Sequence, residues 1–295
     1  MSSHASKAAE TPLPAAPNRI GLIAGQGDFP LLIANAARAN GVEVIGLGIN
    51  GFANPELANC VDRIYWLELG QLGRAIELMH QNQVTAATMA GRVPHTSILQ
   101  YRHFDLRAVK LLAKAINKKA DTLLSLVVEE FNREGIQILD SSLFLKSLMP
   151  EPGLLTPGRP LTDSEIADVE FGYPIAKVIA GQDIGQTIVV KSGMVIAVEG
   201  AEGTDECIRR AGALAGEGCV VVKVSKPRQD LRFDIPVIGR RTIRVMQEAR
   251  VSALAVSARE TLLFHREEIL KQAEELGIGI VAITSTPEGI VGLRE

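Results

Sequence analysis

Residues 223–239 read KVSKPRQDLRFDIPVIG and place Lys223, Lys226, Arg228, Asp230, Arg232 and Asp234 directly after the apolar run Cys219-Val220-Val221-Val222. In an open α/β sheet, ligands collect outside the carboxyl ends of the strands. Cations at that position could neutralise a diphosphate, while Asp234 orients a water or holds a metal, which is the combination phosphoryl chemistry requires. If residues 231–235 are extended, Leu231, Phe233 and Ile235 share one face, and Arg232 and Asp234 share the other. A solvated loop with a surface ion pair has the same local sequence and little energetic weight.

A second constellation is Glu199-Gly200-Ala201-Glu202-Gly203-Thr204-Asp205-Glu206. Glu199 at the strand end, the glycine-flanked Glu202 and then Asp205 gather several hard oxygen ligands in a short span, which suits Mg²⁺ or another hard cation, with Glu202 and Asp205 as candidate ligands. Capping by Thr204, with Asp205 and Glu206 complementing the helix macrodipole, accounts for those three residues but leaves Glu199 and Glu202 unexplained. The third constellation is Gly25-Gln26-Gly27, after an apolar strand sequence and before Pro30. Such a turn lets backbone N–H groups approach an anion at a helix N-terminus, and it also serves as a bare structural turn. Pro30 stands where the dinucleotide fingerprint has its third glycine, and the next strand sequence ends Leu47-Gly48-Ile49-Asn50 without a ribose-binding acid. These features disfavour a nicotinamide enzyme. Arg92, after Ala90-Gly91, is a further candidate phosphate contact.

No P-loop, nucleophile elbow or His-Glu-x-x-His pair is present, and His4, His80, His95, His103 and His265 are scattered. The 295 residues are 46% hydrophobic, enough for two domains of ordinary size. A net charge of -3 and a pI near 6.0 argue against a bulk nucleic-acid binder. Cys60, Cys207 and Cys219 are odd in number and far apart, which supports neither a disulfide framework nor a metal knuckle and fits a reducing cytoplasm. Residues 1–18 read as a disordered tail, and no stretch has the length and apolarity of a membrane span.

The elements needed to hold these residues alternate between strand and helix. Strands are expected at 20–24, 42–47, 63–67, 85–90 and 136–139, with helices at 30–40, 72–81, 105–117 and 121–133, giving a doubly wound α/β first domain over 19–148. MPEPGLLTPGRPL, residues 149–161, holds four prolines and two glycines and reads as a linker. Thr162 and Glu165 then form a capping-box pair, with Leu161 and Ile166 at the staple positions, opening a helix to about Gly181. The second domain, 162–295, contains a Ser192-Gly193 hairpin between strands 187–191 and 194–199, so its sheet is at least partly antiparallel. Helices at 205–215, 242–250 and 266–276 and strands at 219–224, 254–256 and 278–283 complete a second α/β domain with a mixed sheet.

Four strings, Gly21-Leu-Ile-Ala-Gly-Gln-Gly-Asp-Phe-Pro30, Asp183-Ile-Gly-Gln186, Ala197-Val-Glu-Gly-Ala-Glu-Gly-Thr-Asp205 and Lys223 to Gly239, together resemble the LpxI type of UDP-2,3-diacylglucosamine pyrophosphatase. The resemblance runs from about residue 19 to the C-terminus. It implies a Rossmann-like N-terminal domain, a second α/β domain, and hydrolysis of UDP-2,3-diacylglucosamine to 2,3-diacylglucosamine 1-phosphate (lipid X) and UMP in lipid A synthesis. Mg²⁺ or another divalent cation is implied as cofactor. The family's essential aspartate falls on Asp234. Where relatives carry a Lys-Gly-Asp-Asp type stretch, this chain has Lys119-Ala120-Asp121-Thr122.

The resulting expectation is a catalytic Asp234, with Asp234, Asp205 and Glu202 on the metal. Substrate contacts are expected from Gly25, Gln26, Gly27, Arg92, Thr204, Lys223, Lys226, Arg228, Gln229 and Arg232. The partner is a lipid-linked nucleotide-sugar substrate met by reversible contact at the inner-membrane surface, with no nucleic acid and with a homodimer left open. Hydrolysis of another nucleotide-sugar diphosphate, or binding of a nucleotide or lipid without catalysis, are the alternatives.

Overall fold

Apolar strand sequences punctuated by Gly and Pro alternate with amphipathic helices along most of the chain, and each strand buries both faces only if helices cover the sheet. The computed structural model describes residues 17–93, 104–115, 120–227 and 235–293, excepting the side chains of residues 114, 115, 120–122 and 147. The expectations for the 1–18 tail, Arg228, Gln229, Arg232, Asp234, Lys119 and the side chains of 120–122 thus fall wholly or largely outside the described residues. The chain divides into two compact units between Leu139 and Asp140.

The first unit contains β1 (Arg19–Ala24), α1 (Phe29–Ala39), β2 (Glu43–Ile49), α2 (Leu57–Cys60), β3 (Arg63–Leu67), α3 (Leu72–Gln81), β4 (Ala86–Ala90), α4 (Leu106–Ala115), α5 (Ala120–Arg133) and β5 (Gln137–Ile138). The strands form one sheet in the order β3-β2-β1-β4-β5, and every pairing is parallel. This is the Rossmann-like order, and the winding reverses between β1 and β4, where such sheets open a crevice at their carboxyl ends. Ile20, Leu22, Val44, Leu47 and Ala87 are fully buried in it.

The second unit contains β6 (Gly153–Leu154), α6 (Asp163–Gly181), β7 (Thr187–Lys191), β8 (Met194–Val198), α7 (Thr204–Ala215), β9 (Val220–Lys223), β10 (Val237–Ile238), α8 (Arg240–Glu248), β11 (Ala253–Ser257), β12 (Leu262–Leu263), α9 (Arg266–Glu275), β13 (Gly279–Thr286) and β14 (Gly289–Val291). Its main sheet runs β14-β13-β11-β9-β7-β8, with β6 also paired to β13. β9, β11 and β13 are mutually parallel, whereas β7, β8, β6 and β14 pair antiparallel, so the sheet is mixed.

Side-chain alternation divides this sheet into two cores. Val189, Val221, Leu254 and Val256 pack toward Cys207, Ile208 and Met246 on one face. Ile188, Val190, Val220, Val222 and Ala255 pack toward Val169, Tyr173 and Ala176 of α6 on the other. The capping box at the start of α6 is complete: Thr162 N–H donates to Glu165 Oε2 at 2.8 Å, and Glu165 N–H donates to Thr162 Oγ1 at 3.3 Å. Ser192 and Gly193 both have positive φ, 51° and 71°, as a tight hairpin requires, and Asp168 accepts both of their N–H groups.

The proline-rich stretch 149–161, expected as a linker, lies within the second unit. Gly153–Leu154 pairs with β13, Leu155 N–H donates to Ile280 O at 2.9 Å, and Ile280 N–H donates to the buried Thr156 hydroxyl at 2.7 Å. Proline and glycine exclude a helix interior here, but they permit a two-residue strand between prolines.

Candidate active site

In the first unit, the expected residues Gly25, Gln26 and Arg92 are brought together at the switch between β1 and β4. Gly25 N–H donates to Ala90 O at 2.7 Å, Gln26 N–H to Arg92 O at 2.8 Å, and Arg92 N–H to Gln26 O at 2.9 Å. Close backbone approach explains the glycines: a Cβ on Gly25 would stand 2.8 Å from Arg92 O, and Gly91 has φ +85°. The same bonds alter the expected chemistry. The N–H groups of Gly25 and Gln26 are consumed within the protein, so what this turn offers a ligand is the exposed Gln26 and Arg92 side chains and the open backbone at Gly27.

In the second unit, strand alternation places Lys223 on the face of Val221, and Thr187 on the face of Val189, both toward α7. Lys223 is 8% exposed, so its ammonium needs partners. Its Nζ donates to Thr204 Oγ1 at 2.9 Å and to Thr187 Oγ1 at 3.4 Å. Thr204 in turn donates to Glu199 Oε1 at 2.9 Å, and Glu199 Oε2 accepts the Gln186 N–H at 3.1 Å. Gly185 allows this approach, because a Cβ there would lie 2.2 Å from Glu199 O. Lys226 forms an ion pair with Asp183 at 2.7 Å, and Val224 N–H donates to Gln186 O at 2.8 Å. Asp183 to Gln186, Glu199 to Thr204 and Lys223 to Lys226 are therefore one connected assembly at the carboxyl end of β9.

The expected metal ligands are arranged otherwise. Glu202 Oε1 accepts from Arg210 at 2.6 Å and its Oε2 from Gly200 N–H at 3.1 Å; the arginine hydrogen bond holds this carboxyl below the usual range. Asp205 pairs with Arg241 at 2.5 Å. Among the described residues, no three His, Cys, Asp or Glu side chains group as a metal set. Glu202 and Asp205 are thus each paired with an arginine, and Asp234, the third expected ligand, lies outside the described residues.

Three residues outside the sequence expectation surround Ser225. Lys177 Nζ donates to the Ser225 carbonyl at 3.1 Å and its hydroxyl at 2.9 Å, and Ser225 Oγ donates to Glu260. Ser225 N–H donates to Ser257 Oγ at 3.1 Å. Nearby, Tyr173 is hydrogen-bonded to Ser285 and Ser257, and burial pushes its phenol above the usual value. Lys177 sits on α6, 48 residues from Ser225, so no local spacing announces the contact.

Family models for the LpxI N-terminal domain and the LpxI C-terminal domain match residues 19–148 and 151–281. The chain belongs to the LpxI family. It is 30% identical over 277 residues to the UDP-2,3-diacylglucosamine pyrophosphatase LpxI of Caulobacter vibrioides, an alignment covering 90% of this chain and 97% of that one. Among solved structures, it resembles the biotin carboxylase domain of Hydrogenobacter thermophilus 2-oxoglutarate carboxylase at 13% identity and TM-score 0.25, over 59% of this chain and 35% of that one. It also resembles phosphoribosylglycinamide synthetase from Anaerococcus prevotii at 12% identity and TM-score 0.25, over 62% of this chain and 39% of that one. The chain thus spans well under half of either solved protein. The LpxI matches extend over both units, and among the described residues of the second unit the segments 183–186, 199–204 and 223–226 are linked around Lys223.

Proposed function

We propose that the chain hydrolyses UDP-2,3-diacylglucosamine to 2,3-diacylglucosamine 1-phosphate and UMP. Water adds to one phosphorus, the bridging P–O bond breaks, and the two phosphate monoesters leave. Whole-length similarity to the Caulobacter vibrioides enzyme supports this reading. The observation that carries it is the single assembly of Lys223, Thr204, Glu199, Gln186, Lys226 and Asp183 at the carboxyl end of β9.

In this proposal Lys223 and Lys226 neutralise the diphosphate, with Arg228, Gln229 and Arg232 as further contacts from the same motif. Asp234 activates the attacking water, an assignment resting on where the family's Arg-Phe-Asp motif falls. Gln26 and Arg92 are the contacts proposed for the first unit. A divalent cation such as Mg²⁺ would supply charge neutralisation on the diphosphate, since Mg²⁺ commonly binds through substrate phosphates with few protein ligands. Among the described residues no helix is long and apolar enough to cross a membrane. Reversible contact with the membrane surface is the proposed route to an acylated substrate. UMP release from UDP-2,3-diacylglucosamine in detergent micelles, with and without chelator, tests the reading. Release establishes the activity, its loss with chelator establishes the metal, and no release from folded protein rejects the proposal.

A further inference from the structure

Ser225 is fully buried one residue before Lys226 and two after Lys223, the two cations assigned to the diphosphate. Each of its polar groups is held by a different part of the unit. The N–H goes to Ser257 at the end of β11, the carbonyl takes Lys177 Nζ from α6, and the hydroxyl lies between Lys177 and Glu260. Lys177 and Glu260 also pair directly at 3.5 Å, and the Lys177 ammonium lies 5.7 Å from the centre of the Tyr173 ring.

This arrangement is more than strand pairing requires. β9 ends at Lys223, and from Val224 onward the chain leaves the β11 ladder. A backbone departing from a sheet loses the bonds that fix its register, and side chains must replace them. Lys177 supplies two donors at that point, from a helix whose buried face is anchored in the core through Val169, Tyr173 and Ala176. Its own charge is balanced by Glu260, leaving Lys223 and Lys226 to their separate partners.

We infer that Lys177 is a positioning residue for the hydrolytic site, acting through Ser225 to hold the chain between Lys223 and Lys226 in register. The inference rests on the proposed diphosphatase activity. Its reach is geometric: misplacing catalytic groups by about 1 Å can cost on the order of 10²-fold in rate. Removing the clamp should therefore lower kcat while leaving substrate affinity nearly intact.

The experiment is steady-state UMP release by the full chain, Lys177→Met, Lys177→Arg, Glu260→Gln, Lys226→Met and the Lys177→Met/Lys226→Met double variant, with thermal melts alongside. Lys177→Met should lose about tenfold or more in kcat with KM within about threefold. Lys177→Arg should recover part of that loss, and Glu260→Gln should lose less than Lys177→Met. In the Lys226→Met background, Lys177→Met should cost less than in the unsubstituted chain, because both act on the same strand exit. Full additivity, or unchanged kcat in a folded Lys177→Met, overturns the inference while leaving the activity standing. If Lys177→Met does not fold, unchanged kcat in a folded Glu260→Gln together with no recovery in Lys177→Arg overturns it. No UMP release by the unsubstituted chain overturns the function and this inference together.

Discussion

The Lys223 ammonium donates to the Thr204 hydroxyl at 2.9 Å, tying the last residue of β9 to the first residue of α7. Thr204 donates in turn to the Glu199 carboxylate, so lysine, hydroxyl and carboxylate form one chain of hydrogen bonds at the carboxyl end of β9. The Lys223→Met variant keeps the aliphatic stem and should fold. Its kcat for UMP release is expected to fall on the order of 10²-fold, the cost of losing one preorganised group facing transition-state charge. Thr204→Val should lose less, because the ammonium remains. A Lys223→Met enzyme within threefold of the unsubstituted chain would remove Lys223 from the site.

Glu199 and Glu202 are three residues apart, yet they predict opposite results. Glu199 accepts on both oxygens, from Thr204 and from the Gln186 backbone, and an amide cannot accept on its nitrogen. Glu199→Gln should therefore lose about tenfold in kcat, as a part-buried donor left without its acceptor predicts. Glu202→Gln and Asp205→Asn remove carboxylates that face Arg210 and Arg241, and should stay within about threefold. Metal titrations of the same variants check the pairing: a Glu202→Gln enzyme needing far more Mg²⁺ would restore it as a ligand.

Arg159 and Glu165 make a two-point ion pair, with Arg159 Nη2 at 2.6 Å from Oε1 and Nη1 at 2.8 Å from Oε2. Burial pushes the Glu165 carboxyl up, but the hydrogen bonds from Arg159, Thr162 and Ser252 and the guanidinium charge together outweigh it and leave the value lowered. A carboxyl lowered on folding adds stability above its unfolded value, near pH 4.3, and that contribution disappears as pH falls through the folded value. Glu165→Gln should cost about 2–3 kcal/mol at pH 7, at the lower end for a pair that retains some solvent contact. The gap between the two proteins should narrow below about pH 4. Chemical denaturation of both across pH 3–7 checks it, and a gap independent of pH would contradict the assignment.

The three thiols should separate cleanly. Burial pushes Cys207 up to about 12, and Cys219 is also raised by burial, whereas Cys60 is only partly covered. Thiolate is the reacting form, so a charged alkylating reagent at pH 8 should modify Cys60 in the native protein and all three in denaturant. Peptide mapping that finds native Cys207 modified as fast as Cys60 would contradict the packing of α7 on its core.

Legibility from sequence followed distance along the chain. The Thr162 and Glu165 capping box and the Ser192-Gly193 turn are read from neighbours, and both form as the local pattern requires. The mixed sheet was visible in a hairpin followed by helix-separated strands. β6, β10 and β12 are two residues long, too short to show a period. The ion pairs of the carboxylate-rich turn are not legible from the turn itself: Arg241 meets Asp205 from α8, and Arg210 meets Glu202 from the middle of α7. The Gly25 turn was placed correctly, but whether its N–H groups remain available depends on Gly91 and Arg92 at the end of β4. Lys177 was invisible for the same reason, since only folding brings α6 over Ser225.

The central claim is that this chain hydrolyses a lipid-linked diphosphate at the motif beginning with Lys223 and ending beyond Asp234. The direct measurement is UMP release from UDP-2,3-diacylglucosamine in detergent micelles by the unsubstituted chain and by Asp234→Asn, at matched thermal stability and with Mg²⁺ present. The account predicts steady release by the first and loss of at least about 10³-fold in the second, as for removal of the group that activates a nucleophile. Full activity in Asp234→Asn, or no UMP from a folded chain that binds the substrate, would contradict it.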